Sequence, residues 1–176
     1  MEDEAEFARL RQGYEDERLA EQAEYEELAA KDHLRRRELS DVVRELVHRG
    51  DRVTVVAGGQ TFAGEFTHAA GDLACLRTRI GEVDLNLGVP TVIRVVERVA
   101  QGGRSPAGGA KSFKARLFEH EAAGFPVEVG GQVPGGELTG RIDAVATDHV
   151  VMSELNGHAS VVPLTLIAYV MARASA

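Results

Sequence analysis

The second half of the chain repeats the first, and this doubling limits the possible folds more than any other feature of the sequence. Residues Gly59 to Phe66 match residues Gly135 to Ile142: a glycine, an apolar residue, a second glycine and another apolar residue follow at the same spacings. Flanking apolar positions also match, with Val162-Pro163 aligned on Val89-Pro90. Self-similarity of this kind predicts two copies of one structural unit.

Each copy begins with a predicted helix. In the first copy, apolar residues recur at helical spacing and predict one buried stripe, formed by Leu39, Val42, Val43, Leu46 and Val47. Gly50 is placed to end that helix. In the second copy, Ser112 is a predicted N-cap, Gly124 a predicted end, and the apolar face comes from Phe113, Leu117 and Phe118.

Five short strands are predicted after each helix, because apolar residues then alternate with polar ones and turns recur every few residues. In the first copy the strands lie around Val53–Val55, Phe62–Phe66, Leu73–Leu76, Val83–Leu87 and Val92–Val96. The alignment sets Ile167 and Val170 of the last strand on Ile93 and Val96. Gly64 and Gly140 are interpreted as points where a strand bends sharply.

The predicted fold is therefore mainly β with helices: two tandem five-stranded small barrels, each preceded by an α-helix, plus an acidic helical N-terminal arm. The predicted boundaries are 1–33 for the arm, 34–100 for the first helix and barrel, 101–111 for a Gly/Pro linker, and 112–172 for the second helix and barrel.

The glycine-containing repeat and the order of one helix and five strands resemble the Sm-like small-barrel superfamily. The resemblance implies the small-barrel fold for about 130 of the 176 residues. In that family a polar pair in a tight turn grips RNA. Here Leu87-Gly88-Val89-Pro90 and Ser160-Val161-Val162-Pro163 occupy the corresponding positions, so no RNA-binding residue is carried over from the family.

The net charge of −8 resides in the first 30 residues, which hold 11 acidic and 3 basic side chains. Glu and Ala favour a helix there, either solvated or partly disordered, with a partner-binding arm as the alternative. The acidic start is unlike a signal peptide, no apolar run is long enough to span a membrane, and one cysteine excludes an intramolecular disulfide. We therefore expect a cytoplasmic protein with no membrane contact.

A basic stretch follows the acidic arm and is the candidate nucleic-acid-binding site. Its seven cations are Lys31, Arg35, Arg36, Arg37, Arg44, Arg49 and Arg52. Phosphate binding is one interpretation, and the other is a solvated helix whose cations pair with nearby acids. The acidic arm would repel nucleic acid unless it folds back on this stretch as a mimic, a hypothesis that predicts higher affinity after deletion of residues 1–30.

Other polar residues are interpreted as structural. Cys75 is expected to be buried and inert, Asp72 and Asp148 to stabilise turns, and His120 to be solvated. A hairpin set that could ligate a metal is interpreted as surface polarity instead; its members are Asp148, His149, Glu154 and His158.

No nucleophile, phosphate-loop or metalloprotease motif is present in the sequence. We therefore expect no catalysis, no cofactor, no bound metal and no small-molecule substrate. The expected function is a binding or regulatory module that acts through protein–protein contacts, with a protein partner or self-association. The alternative is an RNA- or DNA-associated regulator that uses the basic stretch and the barrel loops.

Overall fold

A computed structural model describes residues 2–99, 102–103 and 109–173, and within the first helix it describes side chains at 12, 15 and from 18 onward. The helices are α1 (Glu2–Arg35), α2 (Leu39–Arg49) and α3 (Phe113–Ala123). The strands are β1 (Arg52–Ala57), β2 (Gln60–Ala70), β3 (Leu73–Thr78), β4 (Gly81–Asn86), β5 (Thr91–Glu97), β6 (Val127–Gly131), β7 (Leu138–Val145), β8 (His149–Glu154), β9 (Ala159–Pro163) and β10 (Ile167–Ala172).

The chain divides into two compact units, Met1–Glu38 and Leu39–Ala176. The first unit contains α1, an acidic helix whose described apolar side chains, Leu19, Tyr25, Leu28 and Leu34, are exposed. Since these described side chains are not buried within the chain, the solvated helix and the partner-binding arm both stay predictions. Among the described residues, no helix combines the length and apolarity needed to cross a bilayer.

The second unit is a single open sheet of ten antiparallel strands, in the order β5-β1-β2-β3-β4-β10-β6-β7-β8-β9. We call residues 39–99 the first half and residues 109–173 the second half. The prediction of a mainly β fold with helices is confirmed, whereas two separate barrels are not. The halves merge because β10, the last strand of the second half, pairs with β4, the last-but-one strand of the first.

The strand pairing repeats from one half to the other. Gly64 lies opposite Val53, as Gly140 lies opposite Val127. The backbone N–H of Leu87 donates to the Asp72 carbonyl at 2.7 Å, and the N–H of Leu164 donates to the Asp148 carbonyl at 2.8 Å.

The sequence alignment of the fifth strands, however, was wrong. Ile93 lies opposite Val55, and its counterpart opposite Val129 is Val170, not Ile167. Likewise Pro163 lies within β9, whereas Pro90 precedes β5. The sequence alignment matched identical residues near the ends of the two halves. The residues that are structurally equivalent there are those in the same strand-pairing positions, and they differ from the identical ones.

Each half contributes side chains to the other half's core. The first core is built on α2, β1 and β2, and it includes Tyr169 and Met171 from β10. The second is built on α3 and the second half's strands, and it includes Leu73 and Cys75 from β3. Neither half completes its hydrophobic core from its own residues.

Gly64 and Gly140 are required by close packing rather than by a special backbone angle. A Cβ on Gly64 would lie 2.0 Å from the Arg77 carbonyl oxygen, and one on Gly140 would lie 2.2 Å from the Ser153 carbonyl oxygen. Neither glycine has a left-handed φ. The irregularities in β2 and β7 come two residues later, after Phe66 and Ile142.

The predicted ends of α3 are confirmed. The Ser112 hydroxyl accepts a hydrogen bond from the Ala115 N–H at 3.1 Å, and Gly124 ends the helix at φ 66°. The apolar faces were predicted too broadly, because Phe118 is 47% exposed, Leu39 39% and Val42 37%.

Most of the predicted linker, 101 and 104–108, lies outside the described residues. Described residues within the linker contact the second unit. A Cβ on Gly103 would overlap the His48 carbonyl of α2, while Ala110 is buried in the second core. The Ala110 carbonyl also accepts from His68 Nε2 at 2.8 Å.

Candidate interaction site

The pairing of β4 with β10, which we call the joint, carries a buried charge cluster on one face. Asp84, on β4, is 2% exposed, and its Oδ2 accepts hydrogen bonds from Arg116 Nε at 3.0 Å and lies 2.7 Å from His120 Nε2. Arg116 also donates to Glu82 at 2.5 Å and to Glu119 at 2.7 Å. Because Arg116 and His120 are four residues apart on α3, both face the same strand.

Two opposing effects act on Asp84. Burial alone would raise the pKa of this carboxyl, but the hydrogen bonds from His120 and Arg116 outweigh burial and hold its pKa below the ordinary value. Asp84 is therefore ionised at neutral pH and forms an ion pair that ties α3 of the second half to β4 of the first.

The prediction that His120 is solvated was wrong. Its side chain is only 14% exposed and contacts Asp84, which is 36 residues away along the chain. The neighbouring glutamates suggested a wholly polar helix surface. Two sequence features could have indicated the contact between His120 and Asp84. Arg116 and His120 are four residues apart on one helix, and Asp84 is a charged residue between the apolar residues of a strand.

Cys75 lies beside this cluster on β3. Burial, with the nearby Asp84 carboxylate, raises the pKa of its thiol well above the ordinary range. Ligand atoms of Cys75, Glu82 and Asp84 lie within 4.8 Å of one another. Arg116 already donates to both carboxylates, so a metal ion would have to displace a guanidinium that neutralises them.

The hairpin set considered as metal ligands is not brought together. Asp148 and His149 lie at one end of β8, where His149 Nδ1 is 2.7 Å from Asp148 Oδ1. Glu154 lies at the other end of this six-residue strand, bonded to Ser160 and Asn156. The two ends are about 16 Å apart at the usual rise per residue, too far for one ion.

The two outer strands of the sheet expose apolar residues. Within the described residues, β5 pairs only with β1, and β9 pairs only with β8. We call their outer sides the β5 edge and the β9 edge. On the β5 edge strand Val92 is 50% exposed, Val95 42% and Val96 68%; on β9, Val161 is 64% exposed. An edge strand that carries exposed valines is a template for further strand pairing.

The seven predicted cations are divided between the two units: Lys31, Arg35, Arg36 and Arg37 belong to the first, and Arg44, Arg49 and Arg52 to the second. Most of them face carboxylates. The closest N–O distances are Lys31–Glu27 2.7 Å, Arg36–Asp32 2.7 Å, Arg44–Asp41 2.9 Å, Arg49–Asp51 3.0 Å and Arg52–Glu65 3.7 Å. Their role in nucleic-acid binding stays a prediction.

Arg52 lines an open groove with two arginines that the sequence analysis did not select, Arg77 and Arg79. The groove has a volume of about 390 Å³ and runs past Gly64, where the missing side chain lets β2 approach β3. Glu65 is the acidic residue that lines it. The three arginines are separated in sequence, so only the pairing of β1, β2 and β3 brings them together.

No family model matches the chain. No curated protein matches it by sequence either.

Proposed function

We propose that this chain is a non-catalytic binding protein that works in the cytoplasm through protein–protein contacts made by the edges of its sheet. The observation that supports the proposal most directly is the pair of edge strands with exposed valines, Val95 and Val96 on β5 and Val161 on β9. An added strand would satisfy backbone hydrogen-bonding groups and cover these side chains together.

The charge cluster at the joint supports a structural rather than a chemical role for two buried ionisable groups, Asp84 and Cys75. Asp84 is occupied by Arg116 and His120, and Cys75 is held as an unreactive thiol. Neither has the free, accessible position that a nucleophile or a general base needs.

A photo-crosslinking amino acid in place of Val95, introduced in cells, tests this function. We expect protein adducts at this position, identified by mass spectrometry, and few adducts with the same probe in place of Ile80. Ile80 is 73% exposed but lies in the turn between β3 and β4. Adducts to nucleic acid alone, or equal labelling at both positions, would contradict the proposal.

A second candidate function is association with RNA or DNA, and the groove lined by Arg52, Arg77 and Arg79 favours it. Three arginines that line one opening could contact successive phosphates, with an affinity that falls steeply as salt rises. The groove carries no aromatic side chain among its lining residues, so base stacking would contribute little.

Fluorescence anisotropy with a single-stranded oligonucleotide tests this second function. Replacing Arg77 and Arg79 by Gln should weaken binding and reduce its salt dependence, whereas Arg98→Gln, outside the groove lining, is the matched control. Deletion of residues 1–30 tests whether the acidic arm competes, since it should then raise affinity at low salt. Absence of measurable binding by the wild-type chain, or an affinity that the arginine replacements leave unchanged, would contradict this second function.

A further inference from the structure

The joint inside the chain pairs two strands that hold different positions in their halves. It pairs the fourth strand of the first half, β4, with the fifth strand of the second half, β10. In the part of the chain that the structure describes, the two edges left over are the fourth strand of the second half, β9, and the fifth strand of the first half, β5. The unpaired edges of one chain are therefore the same two kinds of strand that already pair inside it.

We infer that the β9 edge of one copy of this chain pairs with the β5 edge of a second copy, repeating the geometry of the joint. This inference rests on the proposed function and names its partner. Because the two contacting surfaces differ, each added copy leaves the same two edges free, and assembly continues until a ring closes or a filament grows.

The register of this contact follows from the repeat. In the joint, Tyr169, Val170 and Met171 lie opposite Leu85, Asp84 and Val83. On β9 the residues in the same pairing positions as Leu85, Asp84 and Val83 are Val162, Val161 and Ser160. On β5 the residues equivalent to Tyr169, Val170 and Met171 are Val92, Ile93 and Arg94. The expected pairs are Val92–Val162, Ile93–Val161 and Arg94–Ser160, so Pro163 lies outside the paired segment.

Two side chains near the expected contact between copies differ from their counterparts at the joint, and both differences favour the contact. At the joint, Asp84 of β4 bonds to Arg116 of α3. Val161 is the counterpart of Asp84. Helices α3 and α2 end alike, with Gly124 N–H donating to the His120 carbonyl and Gly50 N–H to the Leu46 carbonyl, which makes Val42 the counterpart of Arg116.

The ion pair inside the chain is thus replaced by two valines, one on α2 and one on the β9 edge, and both are exposed: Val42 is 37% and Val161 64% exposed. An isolated surface valine is unremarkable. Two valines at matched positions, each standing where the joint has one member of a charge pair, are expected if they pack against each other across two copies.

Sedimentation velocity of the purified full-length chain, over a range of concentrations, tests the inference. We expect species heavier than the 18.9 kDa monomer. V161D and V42R should each weaken association by at least about 100-fold, because each buries one unpaired charge in the contact. Ile80→Asp, at an exposed turn residue, is the matched control and should leave association intact.

Mixing the two edge variants gives the sharper result. V161D presents a carboxylate on β9, and V42R presents a guanidinium on α2, so the mixture recreates between copies the Asp84–Arg116 pair of the joint. We expect association to return on mixing and to fall with salt. The register is checked by mixing R94C with S160C, which should form a disulfide, whereas E97C with S160C should not, since only the first pair lies opposite.

Two results would overturn the inference: a wild-type chain that stays at 18.9 kDa throughout, or an assembly that neither single variant weakens. If the chain stays monomeric while the probe at position 95 still crosslinks to another protein, self-assembly fails and the proposed function survives. If neither contact is found, both fail.

Discussion

The rings of Phe62 and Tyr169 meet edge to face, with centroids 4.8 Å apart and planes inclined at 70°. Phe62 belongs to the second strand of the sheet, and Tyr169 to its last strand in chain order. The Tyr169 hydroxyl donates to Glu128 at 3.1 Å, so one side chain joins the core of the first half to a strand of the second. This contact predicts that the two halves unfold together.

Tyr169→Ala should lower the free energy of unfolding by about 3–5 kcal/mol, because it empties a large buried site shared by both halves. Y169F should cost only about 1 kcal/mol, through loss of the hydroxyl's hydrogen bond. Urea denaturation monitored by circular dichroism measures both, with Tyr25→Ala on α1, where the ring is 77% exposed, as the control. Two separate sheet transitions in the wild-type chain would contradict shared cores.

The joint should make stability depend on acid pH. Since the pKa of Asp84 in the folded chain lies below its ordinary value of 3.8, its contribution is complete above that value and is lost as the pH falls through the lower folded pKa. At neutral pH, Asp84→Asn should cost about 3 kcal/mol by leaving Arg116 without its buried partner. The difference between wild type and variant should shrink below about pH 4.

Urea midpoints measured from neutral to acid pH check this prediction. Asp32→Asn is the matched control, because Asp32 on α1 is 54% exposed and pairs with Arg36, the residue that follows the helix. A stability difference between wild type and Asp84→Asn that stays constant down to pH 3 would rule out an ionised Asp84 as its source.

Gly64→Ala and Gly140→Ala should destabilise the sheet by similar amounts, about 3 kcal/mol or more, since each new methyl would press on a carbonyl of the next strand. Gly59→Ala provides the comparison: no atom lies within 4 Å of its Cβ position, but its φ is +83°. Its cost should be about 1 kcal/mol of backbone strain. Thermal unfolding ranks the three variants, and losses at Gly64 and Gly140 no larger than the loss at Gly59 would contradict the close packing of these two glycines.

Cys75 should not react with a thiol reagent in the folded chain. Its burial and the raised pKa of the thiol keep it protonated and inaccessible. At mildly alkaline pH, a thiol-specific reagent should therefore label no cysteine in the folded chain. It should label one cysteine per chain after urea unfolds it. Ala63→Cys, at an exposed residue of β2, is the positive control and should react at once. Rapid labelling of the folded wild type would show that β3 opens.

Periodicity in the sequence was sufficient to predict the local structure. The alternation of apolar residues gave all five strands of the first half, and the capping residues Ser112 and Gly124 placed the ends of α3. These predictions succeeded because strand and helix periods, caps and turns depend on neighbours within a few residues.

The contacts that distinguish this fold could not be predicted in the same way. His120 was assigned to solvent because its partner Asp84 is distant in sequence, and Val42 was assigned to the core because helical spacing marks a face but not its width. The groove arginines Arg77 and Arg79 were likewise missed, since only strand pairing places them beside Arg52.

The sequence by itself determined that one unit of a helix and five strands occurs twice, because the repeated glycines and apolar residues specify local geometry in each copy. Only the tertiary structure decided that the two units share one sheet. That outcome depends on β10 pairing with β4 and on Arg116 reaching Asp84. Both contacts join residues distant in sequence, and they are favourable because apolar surface is buried while the buried carboxylate is neutralised by a hydrogen-bonded partner.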